Sequence, residues 1–192
     1  MRTRSARREA VIARLSAHLL ETGLTRTSLR QLAAAAGVSD RMLLYYFRDK
    51  DEVLSCVIAA LAADLVQVLG QQDPSREGGF EGFVARAAQA TRSPALRPFM
   101  RLWIDITAAA SRGDAPYLEA ARTIGAMFLD WIGSHVETTD PELRAAYAGL
   151  AFALVDGLAL LEICAGEGVA ETAARATADL RLVPGDRGRD GD

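Results

Sequence analysis

Apolar residues recur every three or four positions along most of this chain, and no long run alternates apolar with polar, so the pattern predicts an all-α fold. Between Arg7 and Thr22, Val11, Ile12, Leu15 and Leu19 share one helical face, and Gly23 ends the run. Thr27 is expected to cap a short second helix reaching Ala36, with Leu29, Leu32 and Ala33 turned inward and Gly37 supplying the left-handed stop. Ser39 follows at once as the cap of a third helix, Asp40 to Phe47. Two short helices joined by a tight glycine turn make a helix-turn-helix.

A fourth helix opens behind Asp49, with Glu52 placed to reach back as the other half of a capping box. Its apolar stripe is Leu54, Ile58, Leu61, Leu65 and Val68. The polar stretch QQDPSREGG then precedes helices predicted at Phe80–Thr91, Pro94–Ala110, Ala115–Val136 and Glu142–Ala165, the last with Asp140 as cap and Pro141 at its first position. A weaker segment, Val169–Leu180, leads to PGDRGRDGD, too polar and Gly-rich to fold. The expected division is a helix-turn-helix domain at 1–52, a larger helical domain at 53–182 and a disordered tail at 183–192.

Placed on a wheel of 100° per residue, the third helix turns Leu43 and Phe47 to one side as an inward anchor. Arg41 and Tyr45 point the opposite way, Met42 lies beside them, and Leu44 and Tyr46 fall on the flanks. Solvated helix faces seldom carry aromatics, so this face is expected to meet the major groove of DNA, where Arg bonds guanine, Tyr hydroxyls bond phosphate and Met touches a thymine methyl. The alternative is an ordinary solvated face. Lys50, at the first position of the fourth helix, can hold a phosphate together with the positive helix end.

Charge sharpens this picture. The chain is −3 overall, yet residues 1–50 hold ten Arg and Lys against four Asp and Glu, which makes the basic end the one suited to a polyanion. Cys56 and Cys164 have no metal-type spacing and are expected to be reduced core thiols of a cytosolic protein. The N-terminus lacks a signal-like apolar run. Ala145 to Cys164 is long enough to test as a membrane span, but an acid such as Asp156 near its middle would cost about 3 kcal/mol, so a buried helix and no membrane contact are expected. His18 and His135 stand far apart, with no phosphate loop and no metal-ligand cluster, so no catalytic residues, metal or cofactor are expected.

The set Thr27-Ser28-Leu29-Arg30, Leu32-Ala33, Ala36-Gly37-Val38-Ser39, Leu43, Tyr45-Tyr46-Phe47, Lys50 and Leu54 resembles the N-terminal domain of the tetracycline-repressor (TetR) family, over about the first quarter of the chain. The resemblance implies a homodimeric transcription regulator, usually a repressor, whose C-terminal domain binds a small molecule and releases DNA. By position, Ser28, Arg30, Ser39, Asp40, Arg41, Met42, Tyr45, Tyr46 and Lys50 are the residues expected at DNA. Leu44 stands where many members carry a phosphate-binding Tyr, and Arg41 where a small residue is frequent.

Beyond this domain, Ala145, Gly149, Ala153 and Gly157 recur every four residues, a smooth strip that lets another backbone approach closely. The resemblance assigns it to the dimer interface; the alternative is packing inside one subunit. Asp156 beside it needs a partner, a Ser, Tyr or Arg across the layer or a ligand. Phe99, Met100, Trp103, Ile106, Met127, Phe128, Trp131, Tyr147 and Phe152 are the candidate pocket residues, with Asp105 or Arg101 to orient a polar ligand group. The function expected is a cytoplasmic repressor released from a palindromic double-stranded operator by an unidentified small-molecule effector, largely apolar. The alternative is a ligand-independent or partner-controlled regulator, or an activator.

Overall fold

The computed structural model describes residues 2–24, 28–71 and 79–177. Its helices are α1 (Arg2–Thr22), α2 (Leu29–Ala36), α3 (Asp40–Tyr46), α4 (Lys50–Gln71), α5 (Gly79–Thr91), α6 (Arg97–Ser111), α7 (Ala115–Gly133), α8 (Pro141–Ala165) and α9 (Glu167–Thr177), and the described residues contain no strand. Thr27, the body of the QQDPSREGG stretch, the end of the Val169–Leu180 segment and the 183–192 tail lie outside the described residues.

Helix ends differ from the expected ones where side chains intervene. α1 begins at Arg2, earlier than expected, and the apolar stripe that marks the helix in the sequence starts only at Val11. α2 is capped by Ser28, whose hydroxyl accepts from Gln31 N, while the Gln31 side chain accepts from Ser28 N. Such a box is worth about 1 kcal/mol. α6 starts at Arg97 rather than Pro94, since Ser93 gathers the preceding turn through Leu96 N and Arg97 N. α7 stops at Gly133, where the Ser134 hydroxyl donates to the Trp131 carbonyl and the His135 ring nitrogen lies 2.8 Å from it. Asp140 caps α8 through Glu142 N and Leu143 N.

One buried cluster runs from Leu15, Leu19, Leu32, Leu43 and Phe47 through Val53, Leu54 and Val57 to Leu102, Ile106 and Ile124, so α4 carries a continuous core from α1–α3 into α6 and α7. The division expected at 52/53 falls in the first turn of that helix. A second cluster joins Phe83, Val84, Ile132, Ala148 and Ala151. Cys56 is half-buried, and Cys164, expected in the core, is exposed near the C-terminus of α8.

Two described helices, Lys50–Leu69 and Pro141–Ala165, are long and apolar enough to cross a membrane. α4 spends that character on the core. α8 does so only in part: Leu150, Leu160 and Ile163 are exposed, and so are Ala145, Ala153 and Gly157 of the small-residue strip, with Gly149 half-covered.

Candidate nucleic-acid interface and apolar cavity

Backbone geometry sets the turn that presents α3. Gly37 has φ +68°, its N–H bonds Ala34 O at 3.0 Å, and Val38 N bonds Ala33 O at 3.0 Å, closing α2 as a left-handed stop. A Cβ at this position would be strained by φ and would meet Arg14 Nη1 at 3.2 Å. That guanidinium is held in place, since it donates to Ala36 O at 2.9 Å. Two residues later the Ser39 hydroxyl accepts from Met42 N and starts α3.

Leu43 and Phe47 are fully buried, so α3 is anchored by one side and Arg41, Met42, Leu44 and Tyr45 stand exposed, Tyr45 at 56%. Ser28, Arg30, Ser39 and Asp40 are exposed on the same α2–turn–α3 unit. Tyr46 is a correction: expected on a flank, it is 8% exposed and packs edge-on to Tyr45 with ring centroids 5.4 Å apart. Three residues after Leu43 it returns to within 60° of the anchoring side, which a seven-residue helix cannot turn away from the core.

Arg4 was missing from the expected set. Its Nη2 donates to Tyr45 O at 3.0 Å and its guanidinium sits 4.6 Å from the Tyr45 ring centroid, adding a cation beside the α3 face. Arg8, one turn on, covers Phe47 and donates to Cys56 Sγ at 2.9 Å. The signal was available: Arg4 and Arg8 continue the Val11, Leu15 and Leu19 face at helical spacing.

Lys50 opens α4, half-buried. Asp49 Oδ1 accepts from Glu52 N at 2.8 Å, and Glu52 Oε2 accepts from Arg48 N at 2.7 Å, so the reciprocal arm reaches one residue further back than in the usual box. The Glu52 N–H, then the Arg48 side chain, hold the Asp49 carboxyl below the usual carboxylate range.

A cavity of about 250 Å³ lies among α4–α8. Of the expected pocket residues, Phe99, Met100, Trp103, Phe128, Trp131 and Phe152 line it. Ile106 and Met127 instead pack into the long core, and Tyr147 lies against Phe80 with centroids 5.2 Å apart. Ile106 and Met127 lie within about 40° of the lining residues Phe99 and Trp131 on their helices but one or two turns away along the axis, a placement that composition cannot show. Arg101 and Asp105 do not line this cavity. Arg101 Nη2 donates to Leu20 O and Glu21 O, and Asp105 accepts from Leu24 N at 3.0 Å, so both tie α6 to the C-terminal end of α1. Phe83 and Arg86 of α5 and Leu65 and Leu69 of α4 are among the other wall residues.

Asp156 lines the cavity, where its Oδ2 accepts from Trp103 Nε1 at 3.0 Å. Burial raises its pKa above the ordinary carboxyl value, opposed by the indole bond. The Ser, Tyr or Arg partner expected from the sequence is thus an indole.

Residues 16–56 match the family model for bacterial regulatory proteins of the tetR family. The chain resembles, in fold, a transcriptional regulator of Rhodococcus sp. Rha1 (23% identity, 90% of this chain and 94% of that one, TM-score 0.69). It resembles likewise the reduced form of E. coli NemR (21%, 90% and 96%, 0.69). A third similar structure is a transcriptional regulator from Saccharomonospora viridis in complex with choline (16%, 91% and 95%, 0.64).

Proposed function

We propose that this tetR-family chain is a cytoplasmic, homodimeric repressor that binds a palindromic double-stranded operator and leaves it when a small, largely apolar effector fills the cavity. One observation carries the DNA half: α3 exposes Arg41, Met42 and Tyr45 over the fully buried anchor of Leu43 and Phe47. In this reading residues 1–52 form the DNA-binding domain and 53–182 the effector and dimerisation domain. Ser28, Arg30, Ser39, Asp40, Arg41, Met42, Tyr45 and Lys50 face DNA, Arg4 joins them, and Tyr46 contributes by buttressing Tyr45.

The strip Ala145, Gly149, Ala153 and Gly157 is the dimer seam. In support, a Cβ at Gly149 or Gly157 meets nothing within 4 Å, so packing inside one subunit does not account for the small residues. Two such chains would set their α3 helices about 34 to 36 Å apart, or a multiple, to enter successive major grooves.

Release requires a ligand that binds the DNA-incompetent arrangement more tightly. α4 is one lever, running from Lys50 to the cavity residues Leu65 and Leu69. α6 is a second. It lines the cavity with Phe99, Met100 and Trp103 and grips the end of α1 through Arg101 and Asp105.

The test is an operator titration. Arg41→Ala should cost about 1 to 3 kcal/mol and relax sequence preference, whereas Lys50→Ala should weaken all sequences alike and lower the salt slope by about 1. Full affinity and unchanged preference in Arg41→Ala would remove the assigned role. A compound that quenches Trp103 or Trp131 should lower operator affinity by the factor by which operator lowers its own. Quenching with operator affinity untouched turns the reading to a ligand-independent regulator.

A further inference from the structure

We propose that the cavity selects an organic monocation with an apolar body, its positive group seated between the Asp156 carboxylate and the Trp103 and Phe152 rings. The proposal rests on the reading of this cavity as the effector site and adds the charge class of the effector.

Three features converge. Asp156 Oδ2 takes the Trp103 indole N–H, and that is its one partner among the described residues. An indole is a neutral single donor, so the carboxylate keeps both its charge and most of its acceptor positions for something else. If the group served only to orient Trp103, an amide would do so without placing a charge in an apolar wall. Retaining the acid there disfavours folding and makes sense where an incoming cation offsets it.

The rings supply the second feature. Trp103 and Phe152 lie with centroids 6.0 Å apart, and Phe128 stacks on Phe152 at 6.1 Å and 17°. Their π faces attract a desolvated cation, and Trp does so most strongly. Asp156 follows Phe152 by one helical turn on α8, which puts carboxylate and ring on the same helix face. Thirdly, the competing class is disfavoured. An anion beside the Trp103 and Phe152 rings would be repelled by Asp156, which bonds the indole there, whereas Arg86, the other charged residue of the lining, stands on α5.

The experiment uses the full chain and two ligands of one shape, phenyltrimethylammonium and tert-butylbenzene, which differ by nitrogen for carbon and by the charge. Binding is read by calorimetry and by tryptophan quenching, in the wild type and in Asp156→Asn, which keeps an acceptor for the indole. The wild type should bind the cation more tightly than its neutral isostere. Asp156→Asn should weaken the cation by about tenfold or more and leave tert-butylbenzene unchanged or tighter. Tighter binding of tert-butylbenzene than of the cation by the wild type overturns the charge assignment and leaves the cavity as an effector site. So does equal weakening of both ligands in the variant. Binding of neither ligand by the wild type overturns the cavity reading together with this one.

Discussion

The exposed face of α3 and the wall of the cavity put polar chemistry in opposite surroundings. On α3 the cation and phenol stand in water, oriented by a buried anchor one side away and by caps at Ser28 and Ser39. In the cavity the acid stands in an apolar wall, oriented by a single indole. Side chains of the first kind can be removed with little effect on folding, because water already satisfied them. Those of the second kind oppose folding while they wait for a partner. The long core through α4 joins the two, so stability is shared although the chemistry is not.

The largest expected effect tests that sharing. Leu43→Ala removes a fully buried anchor of α3 and should cost about 2 to 5 kcal/mol. Both tryptophans report from the cavity region, so urea unfolding followed by tryptophan emission and by circular dichroism should coincide and shift together. A tryptophan transition left in place would make the two regions independent.

Next in size is Gly149→Leu, expected to overfill the proposed dimer seam by about 1 to 3 kcal/mol and shift sedimentation toward monomer. Within one chain the new side chain has open space, and helix propensity improves, so the monomer should be no less stable than before. An intact dimer would move the interface elsewhere on α8, where Leu150, Leu160 and Ile163 are also exposed.

The smallest effect separates the two surroundings most directly. Burial, opposed by the indole bond, raises the Asp156 pKa in the folded chain, so the folded state holds its proton more tightly than the unfolded one. The Asp156 contribution to stability should therefore fall as pH rises from about 4 through the raised value. Asp156→Asn, which cannot ionise, should melt higher than wild type at pH 7, with the gap closing toward pH 4. A variant that melts lower at pH 7 would mean that the charge stabilises the fold.

Much of the headpiece was legible because its determinants are local. Gly37, the Ser39 cap and the Leu43/Phe47 spacing act within a few residues, and the structure carries each as expected. Tyr46 escaped because the buried arc of so short a helix is wider than its two strongest anchors suggest. In the cavity, residue type was legible and the place of each residue along its helix was not: Trp103 and Phe152 line it, while Ile106 and Tyr147 on the same helices do not.

By itself the sequence determined the helices, the turn, the basic charge of the first fifty residues and the presence of an acid in an apolar helix, since periodicity, capping and charge are properties of neighbouring residues. Only the tertiary structure decided that Arg4 reaches Tyr45, that Arg101 and Asp105 clasp the end of α1, and that the acid meets an indole at a cavity wall. Those contacts join residues 41 to 81 positions apart, and 53 apart for the acid and its indole. Such pairs depend on how each helix is rotated and placed against the others, and that is set by the packing of the whole core.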